Sequence, residues 1–531
     1  MDNAIRIDRR SGAIRDLNVI DVFLFNVFGY SLGLALTTNP AIIGNFAPSS
    51  NIYMVLALGL LAAIINGVTY GMLSEIYPKT GGDYVYVGQT LGECAAFVAS
   101  VGFTVAQLYG LALDCRWMVT QAFLPGFFVQ GVSAHSQSII TILGKVSAPI
   151  YLFGLITLYM LVIGCVASFT MKASRWFFIF AFIVALSGTM LQAYSYFHTS
   201  PGAFPSIFNA FMVKAGAPIS YQSIVNDGLA NKIIVVPSRW LSESLEAAPL
   251  GFLVFLGFTY SSYIGSEVKT SGRPQTKGIL AALFFGAVCF FAVMGRYSHV
   301  VGSQFNASLP VTLTAGGVKF SPSLTFFSAI LLEHSWMRVW MVVGNLLWFV
   351  LVPVVILQVC SRNIQMWAVR YTFPEIFSKI NRWGAPRNAV WIAIFVGWLF
   401  VICTFRTEAV LIAAVTMVSG SILMAGLAAV FVSVWDKRRF DLAPIGTRTR
   451  LYGIPVIAVF GALTVVVFLY MCWASVHYAA VGGLNIFAVT ISSSVYILAG
   501  IYFFLRRRWL REKLKGQDID PDDLWRSPPR D

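Results

Sequence analysis

Two short runs in this apolar chain carry residues that a plain helical anchor would not use. The first is Phe28-Gly29-Tyr30-Ser31-Leu32-Gly33, in the middle of the apolar stretch from Val22 to Ile43. The second is Phe255, Gly257, Phe258, Thr259 and Tyr260, followed by Ser261, Ser262 and Tyr263. Glycine weakens a helix interior by about 1 kcal/mol relative to alanine. A break at membrane depth frees backbone N–H and C=O groups, which is tolerated only inside protein or beside a water-filled cavity. The freed N–H groups suit an anion and the freed C=O groups a cation. Two such breaks side by side would hold a zwitterion without fixed side-chain charges, which points to an amino acid or a small amine. The alternative is a small-residue face for helix packing. A pair of breaks five segments apart favours the site, because inverted repeats place broken helices in corresponding positions.

Charged side chains inside the apolar segments are few. Asp114 and Arg116 fall in the third segment, Arg296 at the end of the seventh, Asp21 at the start of the first and Glu75 at the end of the second. Asp114 and Arg116 stand two residues apart and do not face each other on a helix, so each is expected to find a partner elsewhere, in a structural role near the outer interface. Arg296 is expected to snorkel outward, Asp21 to cap or anchor its helix, and Glu75 to pair with a nearby base. Asn26, Asn66, Gln107 and Asn345 read as interhelical glue. No segment carries paired carboxylates, a His/Asp cluster or a nucleophile motif, which argues against an enzyme. The seven cysteines show no metal-ligand spacing and read as reduced core residues. No metal or cofactor is expected.

These residues must be positioned by helices that cross a bilayer. The chain has 531 residues, is 57% hydrophobic and only 11% charged, where a soluble domain carries about 25% charged residues. No cleavable signal peptide is expected, because residues 1–16 are polar and basic. Apolar runs predict twelve spanning segments, near 18–45, 52–74, 93–124, 149–170, 175–197, 249–268, 278–300, 337–368, 388–404, 408–435, 454–475 and 484–505. Most of the 37 Lys and Arg then fall on the side of the N-terminus. That positive-inside pattern puts both termini in the cytoplasm and explains the net charge of +14 without a nucleic-acid partner. The organisation that follows is a cytoplasmic segment at 1–17, helices 1–5 in 18–197, a long outer loop at 198–248, helices 6–10 in 249–435 with a second outer loop at 301–336, helices 11 and 12 in 436–505, and a cytoplasmic tail at 506–531. The long loop is expected to hold two short interfacial helices, and Asn306-Ala307-Ser308 in the second loop forms a glycosylation sequon.

Four stretches carry a family resemblance. They are the glycine-bearing run Phe28–Gly33; the run Tyr77-Pro78-Lys79-Thr80-Gly81-Gly82-Asp83-Tyr84-Val85-Tyr86; Gly257-Phe258 leading to Glu267-Val268-Lys269 and Pro274; and Ser361-Arg362 leading to Phe373-Pro374 and Gly384-Ala385-Pro386. Over roughly residues 15–440 the chain resembles transporters of the amino acid–polyamine–organocation superfamily. The resemblance implies an all-α polytopic membrane protein with twelve transmembrane helices: a 5+5 inverted repeat with helices 1 and 6 broken, plus helices 11 and 12. It also implies alternating access at a plasma membrane. The residues that match the family's substrate site are Phe28, Gly29, Tyr30, Ser31, Leu32 and Gly33 in helix one and Phe255, Gly257, Phe258, Thr259 and Tyr260 in helix six. Phe258 matches an aromatic that often gates such sites, and Tyr260 and Trp348 are candidate walls with it. Aromatic, uncharged walls favour a neutral amino acid; a polyamine or organic amine exchanger or uniporter is the alternative, and a non-transporting sensor with the same fold is the reading from another class. Two coupling devices of the family are missing: Trp176 to Met190 holds no lysine, and Trp348 to Val359 holds no Ser or Thr. A proton taken by another carboxylate is favoured over sodium as the coupling ion, with exchange and uniport open.

Overall fold

The computed structural model describes residues 15–169, 175–217, 219–270, 273–314, 323–405, 409–477 and 486–514. The expectations for residues 1–14, for 315–322 of the second outer loop and for the tail beyond Leu514 lie outside these. The chain folds as an all-α polytopic membrane protein. Among the described residues eleven helices are long and apolar enough to cross a bilayer.

The first crossing consists of α1 (Val19–Tyr30) and α2 (Leu32–Phe46). Asn18 starts α1 with a reciprocal cap: its side chain accepts from Ile20 and Asp21 N–H, and Asp21 accepts from the Asn18 N–H at 3.0 Å. Asp21 also pairs with Arg175 at 3.1 Å. The second crossing is α3 (Ile52–Ile76), and the short α4 (Gly82–Thr90) follows it. The third is α5 (Glu93–Trp117), which runs through a π-helical turn at Met118–Phe123 into α6 (Leu124–Ser133). α7 (Gln137–Val146) leads to α8 (Pro149–Ala167) and α9 (Arg175–His198), the fourth and fifth crossings.

The loop at 198–248 holds three helices rather than two: α10 (Phe204–Lys214), α11 (Tyr221–Ala230) and α12 (Trp240–Glu246). The sixth expected crossing departs most from a regular helix. Only α13 (Ala248–Phe255) is α-helical, and two 3-10 turns at Tyr260–Tyr263 and Gly265–Glu267 carry the chain onward. That interruption is why eleven long helices stand where twelve were expected.

The second half continues with α14 (Pro274–Val301), then α15 (Ser303–Thr314) and α16 (Leu324–Leu331) in the second outer loop, and α17 (Ser335–Val369). α18 (Arg387–Thr404) and α19 (Ala409–Trp435) follow. Short α20 (Lys437–Leu442), α21 (Ile445–Arg448) and a two-residue hairpin lead to α22 (Val456–His477) and α23 (Ile486–Leu514).

The two halves interleave: α1 packs on α14 and α17, and α13 packs on α3 and α22. The described chain ends share one face. Asp16 and Leu17 N–H donate to Glu267 O, and Arg506 donates to Tyr371 O beyond the end of α17. This terminal face lies opposite a cap built from α10, α11, α12, α15 and α16.

Local expectations fare unevenly. Glu75 does pair with a base, Arg273 Nε at 2.9 Å. Arg296 turns back to cap α9, donating to Tyr196 O and Thr199 O, both at 3.0 Å. The sequon is engaged in packing: Asn306 Nδ2 donates to Pro40 O at 2.9 Å and Ser308 is fully buried. All seven cysteines are free, but Cys165 and Cys403 are exposed on the bundle exterior rather than in the core.

Candidate substrate cavity

The break in the first crossing is one residue wide. Ser31 adopts φ 46 and ψ 88, its N–H still donates to Val27 O, and its hydroxyl donates to Trp348 O at 3.2 Å. A non-glycine residue in this left-handed region costs roughly 1–2 kcal/mol, and the buried hydrogen bond to α17 holds it there. Gly29 and Gly33, the residues expected to make the break, are both helical. Their role is close approach. A Cβ on Gly29 would lie 2.4 Å from Gly257 O, and one on Gly33 would lie 2.3 Å from the Trp348 ring.

Gly257 makes the second break and needs to be glycine twice over. Its φ is +114, and a Cβ there would lie 2.3 Å from the Gly29 carbonyl. The two breaks therefore touch, backbone to backbone, at Gly29 and Gly257. Side chains of other crossings bond part of the unwound stretch. Ser261 N–H donates to Asn26 Oδ1 at 2.9 Å, and Gln275 Nε2 donates to Ser261 O at 2.9 Å. Asn26 is thus glue between the first and sixth crossings.

Beside this contact lies a cavity of about 100 Å³, several times what one water needs. Gly29, Tyr30, Thr38 and Asn39 line it from the first crossing, and Leu253, Leu256 and Tyr260 from the sixth. α5 supplies Gln107, Gly110, Asp114 and Trp117, α17 supplies Val352 and Ile356, and α19 supplies Leu411 and Val415. Tyr260 donates its hydroxyl to Gln107 Oε1 at 2.5 Å, which ties the second break to α5. The Tyr30 hydroxyl points away and donates to Ala282 O at 3.0 Å.

Of the residues singled out in the sequence, Gly29, Tyr30 and Tyr260 line the cavity. Ser31, Leu32, Gly33, Gly257 and Thr259 stand behind it as the framework of the breaks. Phe28 stacks on Phe178 at 5.4 Å in a cluster with Phe182 and Trp348. Trp348 is fully buried there, its Nε1 donating to Thr189 Oγ1 at 2.9 Å. Phe255 meets Phe290 edge-on at 5.2 Å and Phe258 meets Phe252 edge-on at 6.1 Å. These aromatics are core; of the expected aromatic walls Phe258, Tyr260 and Trp348, Tyr260 lines the cavity.

The cavity also contains residues that the sequence pattern placed elsewhere. Asp114, expected near the outer interface in a structural role, lines the wall and is 7% exposed. Arg116 turns the other way, donating to Thr404 O and lying over the Phe405 ring at 5.0 Å. Gln107, Gly110, Asp114 and Trp117 recur at helical spacing along one stripe of α5. The polar and small residues of that stripe, Gln107, Gly110 and Asp114, were the available signal.

A model of the family described as amino acid permease matches residues 17–501. The chain belongs to the amino acid permease family. Relatives named uncharacterized transporters, from Mycobacterium bovis and two strains of Mycobacterium tuberculosis, are each 25% identical over 259 residues. The match spans 47% of the permease and 47% of each relative, so the chain spans about half the length of the relatives it matches.

The runs at Tyr77–Tyr86, Glu267–Lys269 and Ser361-Arg362 meet on the terminal face, around the unwound sixth crossing. Arg362 Nη2 meets Glu267 Oε1 at 2.6 Å, with side-chain exposures of 5% and 9%. Gly81 N–H donates to Tyr263 O at 3.0 Å, and Thr80 and Ser266 share a hydrogen bond. Lys269 N–H returns a bond to Leu17 O. Beneath the sixth crossing sits Asp83, fully buried, with Oδ1 accepting from Tyr84 N–H. Its carboxyl faces the Tyr263 hydroxyl. Burial pushes the Asp83 carboxyl up to about 7. Among the described residues no group of His, Cys, Asp and Glu could hold a metal ion.

Proposed function

We propose that this permease is a secondary transporter that moves an amino acid or a related organic amine across the plasma membrane by alternating access, with both termini in the cytoplasm. One observation carries the reading: the cavity lies where two broken helices meet backbone to backbone, at Gly29 and Gly257. Rigid-body motion of one helix set against the other about such a point exposes the cavity to each side in turn. The ties around Glu267 and Arg362 correspond to a state closed on the terminal side. The positive-inside bias supports the orientation.

The test is uptake of a mixed set of labelled amino acids and amines into proteoliposomes, with and without an inward proton gradient. Accumulation only with the gradient identifies proton symport; uptake that needs internal substrate identifies exchange. Binding without any flux would favour a sensor, and neither binding nor flux by folded protein would sink the reading. Gly257→Leu should abolish both, because its side chain would enter the Gly29 carbonyl from a strained backbone. Normal affinity in that variant would count against the site.

A further inference from the structure

Within the proposed transport site, we infer that Asp114 is the ammonium-binding residue, and that the substrate is a small organic amine whose alkylammonium group rests against this carboxylate while its other end reaches the helix breaks. The inference rests on the transport reading and narrows its substrate class.

Asp114 is the charged side chain among the residues that line the cavity. It is more than nine-tenths buried. Among the described residues no hydrogen bond or ion pair reaches its carboxylate. Its neighbour Arg116 is committed to Thr404 and Phe405. An ionisable side chain within a spanning helix is expensive and marks a functional site by default. A carboxylate facing an otherwise uncharged cavity is compensated when a cation enters, and an N⁺–H···O⁻ contact is about twice as strong as a neutral hydrogen bond.

The spacing sets the kind of cation. Gln107, bound to Tyr260, marks the level of the second break on α5. Asp114 lies seven residues further along α5 on the cap side, a rise of about 10 Å at 1.5 Å per residue. The cavity's walls include Leu253, Leu256, Val352 and Ile356, which suit a methylene stem. Asn39 and Thr38 add polar side chains to the same lining. The fit is a linear alkylammonium with a polar group at its other end. A basic amino acid and an α,ω-diamine share that chemistry.

Calorimetric titration of the purified full-length permease with lysine, 1,5-diaminopentane and leucine tests this. Lysine or the diamine should bind about tenfold or more tightly than leucine, Asp114→Asn should erase that preference, and Asp114→Glu should keep it. If only lysine binds tightly, the far end needs a carboxylate at the breaks; if only the diamine binds tightly, it needs a second ammonium. Both outcomes support the assignment. Leucine binding as tightly as both cations in the wild type overturns it, a result that does not depend on whether the variants fold. Unchanged cation binding in Asp114→Asn also overturns it. Uptake of leucine alone sinks this inference and leaves the transport reading standing; no binding or uptake of any compound in the full set sinks both.

Discussion

The terminal face and the cap are held together by different physics. On the terminal face, ion pairs and strand-like backbone bonds converge on the unwound sixth crossing. Arg362 pairs with Glu267, Arg370 with Glu93 at 2.7 Å, and Arg273 with Glu75, which also accepts from Thr276 at 2.5 Å. The cap is fastened by rings. Tyr221 stacks on Phe305 at 4.4 Å, Phe208 meets Phe305 at 5.3 Å, and Phe204 meets Phe327 at 5.7 Å. Among the described residues of the cap, Arg239 and Glu243 form a loose ion pair at 3.9 Å. Charge ties between two arrangements are all or nothing, because a buried ion without its partner is costly. Ring packing gives way in smaller increments. The contrast suggests a latch on the terminal side and an adjustable lid on the other.

The largest break in that contrast should come from Arg362→Ala. It leaves Glu267 buried without its partner, a loss of about 3–5 kcal/mol. Hydrogen exchange of the peptide over residues 257–268 should rise steeply while cap peptides keep their protection. Equal protection in the variant would show that the pair is not a latch.

A smaller effect should follow from pH. Burial pushes the Asp83 carboxyl from its ordinary value of 3.8 up to about 7. A raised value means the folded arrangement favours the protonated form. The stability this gives is full below the ordinary value, declines as pH rises through the window from 3.8 to about 7, and is gone above it. Each pH unit crossed in that window removes at most about 1.4 kcal/mol. Protection of the same 257–268 peptide, corrected for intrinsic exchange rates, should therefore fall between about pH 4 and pH 7. Asp83→Asn should flatten the profile; a variant that keeps the wild-type slope would remove Asp83 from the latch.

The smallest effect should come from the cap. Tyr221→Ala removes one stacked ring and its hydroxyl bond to Val301 O. The aromatic pair is worth about 0.5–1.5 kcal/mol beyond its burial. Cap peptides should exchange modestly faster and the terminal face should not respond. A response on both faces would mean that the two sides are coupled even at rest.

The breaks were legible because glycine and hydroxyl residues are out of place in an apolar run, whatever the run packs against. Their detail was not. Ser31 takes the left-handed conformation although two glycines flank it, because its hydroxyl reaches Trp348 O. Gly29 and Gly33 serve contacts with residues hundreds of positions away, which no local pattern records. The reading of Phe258 and Trp348 as walls failed for a related reason: an aromatic looks alike in sequence whether it faces a cavity or a core.

What the sequence determined alone is the part set by local chemistry. Apolar length and charge bias dictate a polytopic helical bundle, and misplaced glycine and hydroxyl residues mark the two crossings that are interrupted. Tertiary structure decided which residues share a space. Asp114 and Arg116 are nearly adjacent in the chain, yet one lines the cavity and the other turns to the end of α18. Two residues along a helix are a rotation of about 200°, and only the packing of α5 against its neighbours fixes which of those directions faces the cavity.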